Sequence, residues 1–293
     1  MSAFANVVLG GVFHAAVLFL VAAGLQLVFG IQKIINLACG SFYALGAYFG
    51  ITFLGLAFAL GMPAWLLLPA LLLSGALLAF VGPLIELVLS TVYDRDESFQ
   101  LLLTFALVLM FQDVFRFIWG ANPRSLDSAH LVYGTFASGD FSIPVYNLLV
   151  IAAAIMTAAS LGAFLRRTNY GRILRATAEN RRMAEALGVN VRGVYASVFT
   201  LGTVLGTIGG ALVVPTSAAS LDMAIEFVVE AFAVVVIGGL GSMAGALAGA
   251  LVVGLIRGFS ILVYPEFETL AIYFIVIGVL LLRPSGLFGR APA

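Results

Sequence analysis

Residues 145–192 read V-Y-N-L-L-V-I-A-A-A-I-M-T-A-A-S-L-G-A-F-L-R-R-T-N-Y-G-R-I-L-R-A-T-A-E-N-R-R-M-A-E-A-L-G-V-N-V-R, an apolar run that gives way to an arginine-rich loop. Crossing roughly 30 Å of hydrocarbon at about 1.5 Å per residue takes ~20 mainly apolar helical residues, and 145–165 supplies them. The loop 166–192 holds Arg166, Arg167, Arg172, Arg175, Arg181, Arg182 and Arg192 against only Glu179 and Glu185, a net charge of +5. Half of the chain's 14 basic residues thus sit in 27 positions. Lysine and arginine accumulate in loops that stay on the cytoplasmic face, so this stretch points to a helical membrane fold and to its orientation.

Working outward, the rest of the chain repeats the apolar half of that pattern. Of 293 residues 62% are apolar and 10% charged, with a mean hydropathy of +1.15. A water-facing domain carries about 25% charged residues, so too few are present here to cover one. Crossings are expected near 8–30, 40–60, 64–89, 99–119, 145–165, 194–215, 226–240, 243–263 and 267–282. The seventh is short, and 226–263 also reads as one span plus a re-entrant piece, which leaves eight or nine. Backbone polar groups must be satisfied inside lipid, and nothing alternates at period two as a barrel would. The expected fold class is all-α, a polytopic transmembrane helical bundle with broken or re-entrant segments, forming one domain over 1–293.

Counting crossings from 166–192 places Lys33, Arg95, Arg283 and Arg290 inside as well. The outside receives 121–144, 216–225 and 264–266, with Arg124, Asp127, Asp140, Asp222 and Glu266. Nine spans put the N-terminus outside and the C-terminus inside; eight break that agreement. A cleaved signal peptide is not expected, because the first apolar stretch lacks a basic leader and runs past a signal's length. Balanced charge, 14 basic against 14 acidic residues, disfavours a nucleic-acid partner. One cysteine, Cys39, and two histidines, His14 and His130, leave little for disulfide, metal or acid–base chemistry.

Two stretches echo each other: Val28–Gly50, V-F-G-I-Q-K-I-I-N-L-A-C-G-S-F-Y-A-L-G-A-Y-F-G, and Val234–Gly254, V-V-V-I-G-G-L-G-S-M-A-G-A-L-A-G-A-L-V-V-G. Each has an apolar helix, a break ending in Gly-Ser, then a helix with small residues every third or fourth position. Paired interruptions of this kind point to a transport pathway, although Gly-Ser is also common in membrane helices. The expected topology puts both breaks toward the cytoplasmic side, as a parallel repeat. Candidate pathway residues are Gln26, Asn36, Gly40, Ser41, Gly238, Gly239, Gly241 and Ser242; Gln26 and Asn36 equally suit helix pairing.

Within the arginine-rich loop, Arg175–Leu187 suits one short amphipathic helix, with Ala176, Met183 and Leu187 near one face and Arg181, Arg182 and Glu185 around the other. Gly188 supplies the left-handed position that ends it. Two uses fit: docking into a groove of a soluble partner, or lying against lipid headgroups. The segment resembles the cytoplasmic coupling loop of binding-protein-dependent ABC permeases, a Glu-Ala-Ala followed after three residues by Gly. Ala184 and Gly188 keep the second Ala and the Gly, whereas Arg182 and Met183 replace the Glu and the first Ala.

The fuller pattern, Arg175-Ala-Thr-Ala-Glu-Asn180 with Ala184 and Leu187-Gly-Val-Asn190, is similar to permeases of the branched-chain amino-acid importers, and to the shorter of their two permease types. Phe29–Tyr48, Val235–Gly245 and the tail Arg283-Pro-Ser-Gly-Leu-Phe-Gly289 resemble the same branch. Cys39-Gly40-Ser41 departs from the His-Gly of many relatives. Asp113–Ser125 resembles as much a sub-branch for aromatic acids, amides or urea. The resemblance implies a longer second permease subunit, two ATP-binding subunits and a periplasmic substrate-binding protein as partners, in the bacterial inner membrane. It implies ATPase coupling through Arg175, Glu179, Arg182, Ala184, Glu185 and Gly188. ATP would be handled by partners and no cofactor held by this chain, which lacks a G-x-x-x-x-G-K-[ST] loop; its one lysine is Lys33.

The remaining polar span residues have bland alternatives. Asp113 and Arg116 are spaced to neutralise each other on one helix face. Gln112 suits helix pairing or the pathway, and Glu86 sits near the inner end of the third span. Glu226 and Glu230 lie one turn apart at an outer mouth, and His14 reads as a helix-packing donor. Cys39 reads as a small packing residue, the 24 phenylalanines as lipid-facing bulk, and Tyr133, Tyr146 and Tyr264 as an interfacial belt. An ion-coupled secondary transporter would place ionisable residues near the midplane, where few occur. An integral-membrane enzyme would need a ligand or catalytic cluster that the spacing does not offer.

Overall fold

Each expected crossing has a helix, because the apolar runs are long and their interiors hold no proline except in 64–89, where Pro83 sits in the first turn of a second helix. The computed structural model describes residues 2–93, 95–126, 129–138, 141–264, 267–283 and 286–288. Asp127, Asp140, Glu266, Arg290 and, in the tail, Pro284, Ser285 and Gly289 lie outside the described residues. In chain order come α1 (Ser2–Gln32), α2 (Cys39–Ala59), α3 (Leu67–Leu77), α4 (Val81–Leu89) and α5 (Glu97–Trp119). A two-stranded hairpin follows, β1 (Thr135–Ser138) with β2 (Phe141–Pro144), then α6 (Val145–Arg167), α7 (Asn169–Glu179) and α8 (Arg181–Ala186). The chain closes with α9 (Val191–Val213), α10 (Met223–Gly238), α11 (Met243–Val263) and α12 (Glu268–Leu282).

Short 3₁₀ turns join α3 and α4 into one membrane-length rod over 64–92. Seven of the described helical segments are long and apolar enough to cross a membrane; α10 and α12, of 16 and 15 residues, are shorter. The chain is a multi-pass membrane protein. α10 and α11 are separate antiparallel helices, of which α11 alone reaches spanning length.

α9 is the hub, packed by α1, α2, α3 and α4. Without a hydrophobic drive between helices in lipid, close backbone approach supplies the attraction, and small residues permit it. A Cβ at Gly46 would fall inside the Thr207 carbonyl oxygen, and one at Gly210 inside that of Tyr43. At Gly75 it would lie 2.7 Å from the Ile208 Cα, and at Gly82 2.7 Å from the Thr200 Cα. Polar bonds join the same surfaces: Thr207 Oγ1 donates to the Gly75 carbonyl at 2.9 Å, and Tyr146 Oη to that of Leu212 at 2.6 Å.

These contacts correct three expectations. Tyr146 is fully buried against α9 and is no belt residue, whereas Tyr264 is exposed. Phe42, Phe111, Phe115 and Phe199 form a buried ring cluster, so phenylalanine is also core and not only lipid-facing bulk. Asp113 and Arg116 both project outward from α5 and make no ion pair with each other. α5 otherwise shows solvent or lipid a face of Leu102, Phe105, Leu109, Phe117 and Ile118, the inverse of a soluble helix.

Candidate functional site

The second break is a closed hydrogen-bonded lock. α10 ends at Gly238, and the turn after it holds Gly239 and Gly241, whose φ values of +97° and +81° are open to glycine and costly for other residues. Ser242 caps α11, its Oγ accepting from the Gly245 amide at 3.0 Å. Gln26 of α1, 2% exposed, spans the turn: its Nε2 donates to the Gly239 carbonyl at 2.9 Å and its Oε1 accepts from the Gly241 amide at 2.6 Å. The tail finishes the helix end, with Leu287 and Phe288 amides donating to the Ile237 and Gly238 carbonyls at 2.8 and 3.0 Å. Gly238 and Gly245 face each other too closely for either to carry a side chain. Gln26→Leu would orphan the Gly241 amide, at about 1–3 kcal/mol when buried, and leave the Gly239 carbonyl with only the Ser242 amide at 3.3 Å. A fall of several degrees in the thermal unfolding midpoint of the detergent-solubilised chain is expected, and an unchanged midpoint would remove Gln26 from the lock.

The first break is built differently. α1 ends at Gln32, whose Nε2 donates to the Tyr195 carbonyl at 2.9 Å, and Lys33 takes a left-handed φ of +60°. Residues 33–38 then run unwound, turned by Asn36, whose Oδ1 accepts from the Ala38 amide at 3.0 Å. Asn36 packs near Gly24 and Val28, so the segment doubles back along α1. Gly40 consequently rests on Ala224 in the first turn of α10, while Gly241 follows its last turn, roughly 20 Å away along that helix. The two Gly-Ser pairs therefore differ in depth and role, against the expectation of a parallel repeat with both breaks at one side. Gly40 and Ser41 lie inside α2, and Ser41 Oγ is buried without a hydrogen-bond partner, whereas Ser242 is a cap.

At the Gln32 end of the bundle, Arg175–Leu187 is not one helix. Asn180 interrupts it, ending α7 and capping α8 by accepting from the Met183 amide at 3.0 Å. A side chain that competes for backbone amides favours such a boundary. Gly188, at φ +83°, closes α8 in a Schellman arrangement: its amide donates to the Glu185 carbonyl and that of Val189 to Ala184, both at 3.0 Å. Ala184 is buried against the bundle, while Ile173, Met183 and Leu187 are exposed beside Arg172, Arg175 and Arg182. Arg181 pairs with Glu185 at 3.1 Å on the surface, an interaction of about 0.3–0.5 kcal/mol.

At the other end lies a cavity of about 520 Å³ between α1, α10 and α11. On its wall His14 Nε2 meets Glu230 Oε2 at 2.8 Å, and Arg257 Nη1 reaches Glu230 Oε1 at 3.1 Å and His14 Nε2 at 2.7 Å. Glu226, one turn along α10, also faces the cavity, with Tyr43, Phe227 and Thr216. Among the described residues no group of three or more His, Cys, Asp or Glu is placed to hold a metal ion.

Residues 7–282 match the family model described as branched-chain amino acid transport system / permease component. The chain belongs to that family. It is 28% identical over 280 residues to the high-affinity branched-chain amino acid transport system permease protein LivH of Escherichia coli, covering 92% of this chain and 91% of that one. To the corresponding BraD of Pseudomonas aeruginosa it is 26% identical over 282 residues, with the same coverage. A probable branched-chain amino acid transport permease protein LivH of Methanocaldococcus jannaschii shares 28% over 302 residues, covering 96% and 91%. No solved structure matches. These relatives are named as transport permeases, not enzymes.

Within this permease, the expected pathway residues divide. Gln26, Gly238, Gly239, Gly241 and Ser242 converge on one lock, while Asn36, Gly40 and Ser41 belong to the unwound return into α2. Of the expected coupling residues, Arg175, Glu179, Arg182 and Glu185 are exposed and Gly188 shapes the turn, but Ala184 faces inward. Glu86, 8% exposed, accepts from Tyr93 Oη at 2.8 Å, a local pairing. Gln112 reaches the Leu221 carbonyl and Asp222 only at 3.5 Å. Sequence reasoning missed Arg257, although a lone arginine inside an apolar span is itself the signal. It also gave His14 only a packing role, because its two charged partners are 216 and 243 residues away in sequence.

Proposed function

We propose that this permease is the channel-forming subunit of an ATP-driven importer in the plasma membrane, moving branched-chain or other hydrophobic amino acids. The observation that carries the reading is the α7–α8 segment. It is a glycine-closed helical elbow whose exposed Ile173, Met183 and Leu187 stand among arginines at the most basic end of the chain. Apolar side chains exposed on a charged, membrane-flanking elbow suit a protein partner better than water. With no phosphate-binding loop in the sequence, that partner must supply ATP hydrolysis: two ATP-binding subunits, beside a longer second permease and an external substrate-binding protein. No cofactor is assigned to the chain itself. Gln26 and 238–242 would then set the hinge between two arrangements of α10 and α11, with Asn36, Gly40 and Ser41 at the second moving joint.

The reading is tested by reconstitution in lipid. The chain alone should hydrolyse no ATP, and the complete complex should take up leucine when the binding protein is added. Uptake by the chain alone under a proton or sodium gradient would instead establish a secondary transporter. Uptake of urea or short amides but not leucine would reassign the solute. Orientation has its own test, since the +5 loop places Asn180 inside and the N-terminus outside. In a Cys39→Ala background, Asn180→Cys should resist an impermeant thiol reagent applied to intact cells; rapid labelling reverses the topology.

A further inference from the structure

We propose that the cavity between α1, α10 and α11 is a transit site for the head group of an α-amino acid, with Arg257 taking the carboxylate and Glu226 and Glu230 the ammonium. The inference rests on the permease reading and adds to it the residues that meet the solute.

Three observations lead there. The first is that the charges are not needed to hold the helices together. α1 and α11 already meet backbone to backbone, since a Cβ at Gly11 would lie 2.7 Å from the Gly254 carbonyl oxygen and one at Gly258 2.9 Å from that of Val7. Burying ionised groups where apolar packing already suffices costs desolvation, so their presence calls for a use. The second is that the charges line open space rather than a sealed core. Glu230 and Arg257 remain 17% and 29% exposed at the side chain, and both face the cavity of about 520 Å³. The third is the arrangement of sign and polarity. Two carboxylates stand one helical turn apart on α10, a guanidinium faces them from α11, and Phe13, Phe227 and Ile261 supply apolar wall. A zwitterion with an apolar side chain satisfies all of these at once: its ammonium lies between Glu226 and Glu230, and its carboxylate replaces part of Glu230's hold on Arg257. A neutral sugar or an amine lacking a carboxylate leaves the guanidinium and a carboxylate locked on each other. His14, with Nε2 donating to Glu230 at 2.8 Å and Nδ1 accepting from Arg257 Nη1 at 3.1 Å, keeps the pair aligned as a positioning residue.

The test uses the complete complex in proteoliposomes, in a Cys39→Ala background, with Ser217→Cys as a reporter on the cavity wall. Without binding protein, millimolar leucine should slow labelling of Cys by a thiol reagent at least threefold. Neither 3-methylbutylamine, which lacks the carboxylate, nor 4-methylpentanoate, which lacks the ammonium, should do so. Arg257→Gln should abolish the leucine effect. Equal protection by all three compounds, or by none, overturns the proposal. A second variant guards against misfolding of Arg257→Gln. Gly10 lines the cavity and a Cβ there meets nothing within 4 Å, so Gly10→Leu adds bulk to the cavity while Arg257, Glu226 and Glu230 are all retained. Leucine uptake should fall at least tenfold at a parental level of membrane-inserted chain; parental uptake by this variant overturns the site. If the parent complex itself fails to transport leucine, the permease reading falls instead.

Discussion

Gly210→Ala is expected to remove the folded permease from the membrane, whereas Gly162→Ala is expected to leave it intact or slightly more stable. Both replacements add one methyl group to a membrane helix. At Gly210 of α9 the new Cβ would fall inside the Tyr43 carbonyl oxygen and 2.7 Å from its carbon, and backbone cannot rotate away as a side chain does. α2 would have to lift off α9 where Gly46 makes the reciprocal contact with Thr207. Overpacking in a fitted core typically costs about 1–3 kcal/mol, and a rigid backbone clash lies at or beyond the top of that range. At Gly162 of α6 a Cβ meets nothing within 4 Å, so the helix-propensity gain of up to ~1 kcal/mol is uncompensated. Size-exclusion recovery and the thermal unfolding midpoint of the solubilised chain measure both. Equal behaviour of the two variants would mean that the α2–α9 crossing is looser than described.

The second large effect concerns α8. Ala184→Arg places a charge where the wild-type methyl is 3% exposed and should lever α8 off the start of α9. Gly188→Val acts without any steric clash, since a Cβ there meets nothing within 4 Å; its cost is purely the φ of +83° forced on a β-branched residue. That cost is on the order of 1–3 kcal/mol. Gly188→Asn should retain more function, because asparagine tolerates the left-handed region. In the reconstituted complex, both disruptive variants should lose binding-protein-stimulated ATP hydrolysis and uptake by at least tenfold, while the binding protein's affinity for leucine is unchanged. Parental hydrolysis and uptake in both would leave α7–α8 as a positive-inside anchor with no coupling role.

These residues were legible to different degrees in the sequence. Gly188 as a helix end was readable because a left-handed terminus is a local demand, and glycine meets it at least cost. The interruption at Asn180 was readable in principle from the same kind of local chemistry, but it was masked by the amphipathic spacing running through it. That Ala184 faces inward could not be known until α8 had a surface to rest on. The unlike depths of Gly40 and Gly241 escaped for a similar reason: matching text at two breaks says nothing of where an unwound segment travels next. Lys33 and Asn36 turn the first break back along α1, and Gln26 with the tail pins the second in place.

Amino-acid order alone determined the properties that depend on transfer from water to lipid and on neighbours within a few residues. Nine apolar runs, most of them at spanning length, a basic loop between the fifth and sixth, and glycine or serine at helix ends follow from composition and spacing. Tertiary structure decided which polar residues meet. Gln26 finds Gly239 and Gly241 more than 210 residues away, and His14, Glu230 and Arg257 gather from three helices into one cavity wall. A buried polar group is costly until it has a partner, but its own neighbours in sequence do not say which distant partner it will find. Helix crossing makes that choice, through glycines such as Gly11, Gly46, Gly210 and Gly254 that let particular backbones touch and so bring particular side chains into register.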